Sequence, residues 1–124
     1  MGTLKAKIAI DTSDLNTTSI NQLYEKDLTV TKGGILVGEI DATTVGTAVV
    51  LLLAADHASG TKVYLRNKHA SNTLNILFRT GGTPTQSELQ LKAGEFAFFP
   101  WTGGADIRAW ASAIDTTIEY GTFA

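Results

Sequence analysis

Two histidines are the candidates for proton or metal chemistry in this 124-residue chain, and each stands in a polar turn. His57 lies in DHASG at 56–60, and His69 in KHASN at 68–72. A histidine serves as base or ligand when carboxylates or further imidazoles converge on it. Asp56 is adjacent to His57 in sequence and cannot easily orient its ring, so His57, His69 and Asp56 are expected to be surface turn residues. Ser59, His57 and Asp106 supply the residue types of a nucleophilic triad, but no serine is set in a nucleophile elbow or beside an oxyanion-hole signature. Gly33-Gly34, Gly81-Gly82 and Gly103-Gly104 are not followed by Lys-Ser or Lys-Thr and a helix, so they read as turns rather than phosphate cradles. Asp11 and Asp14 are expected in a loop, and Glu88, Glu95 and Glu119 in or beside different strands; no carboxylate pair is legible. No catalytic, cofactor or metal role is assigned to any residue, and the chain is not expected to be an enzyme.

The aromatic residues carry more information. Trp101, Trp110, Tyr64 and Tyr120 would suit a sugar if they stood together at a rim, because aromatic faces stack on pyranose rings. Trp101 follows Pro100 at a strand end, where an indole buries its ring and keeps its N–H hydrogen-bonded. That places Trp101, Phe99 and Trp110 among candidates for a subunit or partner interface, together with Leu4 and Ile8 near the N-terminus.

Ten basic residues are scattered against twelve acidic ones, for a formal charge of -2. No positive stripe is present for a phosphate backbone, and nucleic-acid binding is not expected. The chain has no cysteine, which excludes disulfides and thiolate metal sites. Residues 1–10 (MGTLKAKIAI) lack the apolar core of a signal peptide, and the longest apolar run, 48–55 (AVVLLLAA), is far short of the ~20 residues of a membrane helix. That run is expected to be a buried strand, or the buried half of one. Charged residues make up 18% of the chain, below the usual quarter, which suits a β protein partly covered by neighbours.

Around these residues the sequence is written in strands. Leu4, Ala6, Ile8 and Ile10 alternate with polar residues, a period of two that marks a half-buried first strand. Residues 12–22 (TSDLNTTSINQ) read as a loop or extended segment, with Ser19 placed to cap a short helical turn through Tyr24 and Glu25. Residues 27–31 (DLTVT) and 35–40 (ILVGEI) suit a hairpin around Lys-Gly-Gly. Residues 62–67 (KVYLRN) and 74–79 (LNILFR) suit a second one. In 89–101 (LQLKAGEFAFFPW) a strand, a turn at Ala93 and Gly94, and an aromatic strand follow one another. Phe96 and Phe98 share one side of that last strand, and Ala97 and Phe99 the other, so both sides ought to be covered. Strands recur every 8–12 residues without a helical pattern of any length. This predicts an all-β fold: a single-domain antiparallel β-sandwich of the jelly-roll type over residues 1–124, with 1–25 as a possible extended arm.

Residues 62–79, the run 89–101, and 107–124 (IRAWASAIDTTIEYGTFA) together resemble small β-sandwich virion proteins of tailed bacteriophages. A strand ending in Arg-Asn, a leucine-spacer-Gly-Glu turn and an Ala-rich final hairpin recur in them, and the likeness covers 61–124. The capsid decoration (cement) proteins are the nearest in kind. The resemblance implies a non-enzymatic block, in such proteins typically a homotrimer, that binds the major capsid protein on the outside of the shell after assembly in the bacterial host cytoplasm. A tail or baseplate component, or a module binding host glycans, is the alternative.

Overall fold

The computed structural model describes residues 2–12, 20–81 and 86–124, with the backbone alone at 10–12 and 20–22. Ser19 and the Gly82–Pro84 part of the second glycine-rich loop lie outside the described residues. The chain divides into two compact units, 1–32 and 33–124.

The first unit is a two-stranded antiparallel ribbon, β1 (Gly2–Thr12) and β2 (Ile20–Val30), in register along its whole length. Alternation sorts its side chains. Leu4 stands opposite Leu28 and Ile8 opposite Tyr24 on one face; Lys5 and Lys7 stand opposite Asp27 and Glu25 on the other. Lys5 Nζ lies 3.2 Å from Asp27 and Lys7 Nζ 3.3 Å from Glu25, so the charged face is laced by cross-strand pairs. The helical turn expected through Tyr24 and Glu25 is absent, because both residues are paired with β1 and the ladder outweighs any local cap. The alternating pattern of Leu4 to Ile10 therefore belongs to this ribbon and to neither larger sheet.

Among the described residues the second unit contains eight strands: β3 (Gly33–Ile40), β4 (Val49–Leu52), β5 (Thr61–Asn67), β6 (Leu74–Phe78), β7 (Leu89–Leu91), β8 (Phe96–Trp101), β9 (Ile107–Ala111) and β10 (Thr116–Phe123). They form two antiparallel four-stranded sheets, ordered β3-β10-β5-β8 and β4-β9-β6-β7. Val63, Leu65, Trp101 and Ile118 of the first share a core with Leu52, Leu74, Ile76, Leu91 and Ile107 of the second. The all-β expectation holds as antiparallel sheets packed face to face.

After β3 each strand except β7 lies in the sheet opposite its predecessor, and local pairing expectations fail for that reason. Residues 27–31 and 35–40 do not pair, since β2 joins β1 and β3 joins β10. Strands β5 and β6 lie in different sheets, as do β7 and β8. The turns fall where the sequence puts them, but they reverse the chain across the core rather than within a ladder. The apolar run at 48–55 is not a buried strand throughout. Strand β4 covers only Val49–Leu52 at a sheet edge, with Val49 and Val50 exposed, Leu52 buried and a register shift between Val50 and Leu52.

Two glycines are required by geometry. Gly94 adopts φ 80° in the turn before β8, a conformation that glycine reaches without strain. At Gly121 in β10 a Cβ would lie 2.6 Å from the Gly34 carbonyl oxygen, so only glycine lets β3 approach this closely.

Candidate functional site

The residues with chemical potential are occupied by structural tasks. His57 Nδ1 lies 2.9 Å from the Leu53 carbonyl oxygen, and its ring packs on Trp101 with centroids 5.4 Å apart. His69 Nδ1 accepts the backbone N–H groups of Ser71 (3.1 Å) and Asn72 (2.9 Å), which fastens the turn after β5. Asp106 is buried, and its Oδ1 accepts the Ala54 N–H at 2.8 Å. These bonds tie loops together, and the two histidines stand in the turns where the sequence places them.

Glu39, Asp41 and Asp115 bring one carboxylate atom each within 4.8 Å of one another, and all three are exposed. Asp115, at φ 59°, donates its N–H to Asp41 Oδ1 at 2.9 Å. Sequence reading misses this cluster because 74 residues separate its halves; only the β3-β10 pairing brings them together. Exposed carboxylates of this kind are well solvated and carry no reaction by themselves.

The interface candidates part company. Strand alternation turns Ala97, Phe99 and Trp101 toward the core, across from Leu65, Val63 and Thr61. Phe99 packs edge-on to Phe78 at 5.6 Å. Trp101 is 5% exposed and donates Nε1–H to the Ala105 carbonyl oxygen at 3.2 Å. The buried, hydrogen-bonded indole was anticipated, but the core of this same unit holds it. Trp110 alternates to the outside of β9 in the other sheet, so the two indoles share no groove. Nε1 of Trp110 and Nε of Arg108 are buried without a hydrogen-bond partner among the described residues. Leu4 is half-buried and Ile8 exposed, both on the apolar face of the ribbon.

On the outer side of β8 stand exposed Phe96, half-buried Phe98 and exposed Pro100, opposite Arg66, Tyr64 and Lys62. With Ile35, Val37 and Phe123 they make the outer face of the β3-β10-β5-β8 sheet largely apolar; Phe96 is 66% exposed and Val37 61%. Glu119 sits among them, accepting Tyr64 Oη–H at 2.8 Å and lying 3.8 Å from Lys68 Nζ. Desolvation, followed by this carboxylate, raises the Tyr64 phenol above its ordinary value. The double-sided apolar strand was legible in sequence; which side faced out depended on register. The geometry offers apolar surfaces for association and no assembled reactive centre among the described residues.

No protein-family model matches the chain, and neither a curated protein nor a solved structure does so.

Proposed function

We propose that the protein is a structural component of a tailed-bacteriophage virion, a decoration protein that binds the outer capsid and stabilises the shell. The observation that carries the reading is the strand order of residues 33–124. Among the described residues eight strands lie in two antiparallel four-stranded sheets, with the first strand beside the last and the chain repeatedly crossing between sheets. That order supports a jelly roll, an architecture recurrent in capsid proteins. The virion-protein resemblance of 61–124 and the exposed apolar surfaces support the same reading.

In this reading the sandwich is the rigid block and the β1-β2 ribbon grips the lattice. A two-stranded ribbon alone is marginal in water, so a partner that covers Leu4, Ile8 and Tyr24 gains apolar burial and orders the ribbon in one step. The outer face around Phe96 and Phe98 associates copies into a homotrimer. A block that binds only the assembled major capsid protein stabilises it by mass action, and three linked contacts reinforce one another through effective concentration.

The test is retention of the full-length protein on expanded phage shells, with Ile8→Asp beside the native chain. Because Ile8 is exposed, the substitution spares the sandwich, and attachment should weaken at least about tenfold, the equivalent of roughly 1.4 kcal/mol. Failure of the native protein to bind any expanded shell refutes the decoration reading. Native-like binding by Ile8→Asp refutes the gripping role of the ribbon.

A further inference from the structure

Among the described residues the sandwich has four edge strands, and three are blunted against pairing with another chain. Strand β8 contains Pro100, which lacks an N–H. Strand β7 is three residues long. Strand β4 is four residues long and interrupted by a register shift. Strand β3 has none of these devices. It runs eight residues in unbroken register with β10, contains neither proline nor lysine, and pairs with no described strand on its other side. Ile35, Leu36 and Val37 are 53%, 62% and 61% exposed, so the strand is apolar on both faces where it is unpaired. An edge of this kind is a template for an added strand.

We infer that the β3 edge is a docking site for the β3 edge of a second copy of this chain, the two adding antiparallel so that their four-stranded sheets become one of eight. The sequence of β3 is complementary to itself about Leu36. For the outer faces of the two sheets to be continuous, facing residues must share the same side of the strand. A twofold axis at Leu36 satisfies this, setting Ile35 of each copy across from Val37 of the other on the outer face and the two Leu36 side chains together on the inner one. The charges agree with the direction. Lys32 precedes the strand and Glu39 lies near its end, so antiparallel pairing brings Lys32 of each copy within about one residue of Glu39 of the other, whereas parallel pairing would align like charges. The pairing depends on β3 and its flanking residues alone and stands apart from the capsid reading.

Sedimentation of the full chain from about 1 to 100 µM, a range that brackets micromolar affinity, tests it together with three variants. The native chain should show a pairwise association step through this edge, which doubles a homotrimer to a hexamer where the outer face around Phe96 and Phe98 also holds copies together, and Val37→Lys, at an exposed position, should weaken that pairwise step at least about tenfold, since it sets a charge against an apolar partner residue. Adding Ile35→Glu to Val37→Lys should restore it, because the carboxylate introduced in each copy then faces the ammonium introduced in the other. The chain has no cysteine, so Leu36→Cys provides a clean probe: oxidation should yield covalent dimers far faster than Lys92→Cys, since directly facing strand residues fall within disulfide reach. A chain that stays monomeric or goes no further than a trimer at the top of that range, association indifferent to Val37→Lys, or equal cross-linking of the two cysteine variants would each overturn the inference.

Discussion

Replacing Asn67 with leucine should destabilise the sandwich by about 4 kcal/mol, although the two side chains are nearly equal in size. Asn67 ends β5 with no exposed surface. Its Nδ2 donates to the carbonyl oxygens of Asn72 at 2.7 Å and Leu91 at 2.9 Å, and its Oδ1 accepts the His69 N–H at 3.0 Å. One amide thereby ties the turn after β5 to the end of β7. Leucine fills the space but leaves the Leu91 carbonyl buried without that donor, which costs about 1–3 kcal/mol, and forfeits two part-buried bonds of about 0.5–1.5 kcal/mol each. Both tryptophans, Trp101 and Trp110, belong to the 33–124 unit, so urea unfolding followed by tryptophan fluorescence reports on that unit alone. With an ordinary urea dependence, the midpoint should fall by on the order of 2 M. His69→Ala removes only an acceptor of two backbone N–H groups near the surface, where water can replace it, and should cost under about 1 kcal/mol. An Asn67→Leu protein within about 1 kcal/mol of native, or no worse than His69→Ala, would refute the argument that these bonds hold the loops to the core.

At Gly94, φ 80° strains any β-branched residue, so Gly94→Val should cost roughly 1–3 kcal/mol in the same urea assay while Lys92→Ala stays within about 0.5 kcal/mol. Tyr64 should ionise above the ordinary phenol value of 10.0 in an alkaline absorbance titration, and Tyr64→Phe should delete that late component. Its raised value makes the Tyr64–Glu119 contribution fully present below the unfolded phenol's 10.0 and lost as pH climbs through the higher folded value, so the stability that Tyr64→Phe removes should shrink in strongly alkaline buffer.

The sequence alone determined the fold class and the position of nearly every strand from β3 onward, because period-two alternation and Gly-rich turns are local signals written within a few residues. The turn at Ala93 and Gly94 was legible from its residues, and Gly94 takes the positive φ that such a turn favours. Pairing was not. Strand β3 joins β10 about 80 residues away, and the turns after β5 and β7 lead across the core, so hairpins expected from adjacency do not form. Register then decided which side of the aromatic strand meets solvent: Phe99 and Trp101 went to the core and Phe96 and Phe98 to the outside, a choice that composition apolar on both sides leaves open. The tertiary structure likewise made β3 an unguarded edge, since edge and centre differ only in which strands arrive on either side, and those neighbours come from distant parts of the chain.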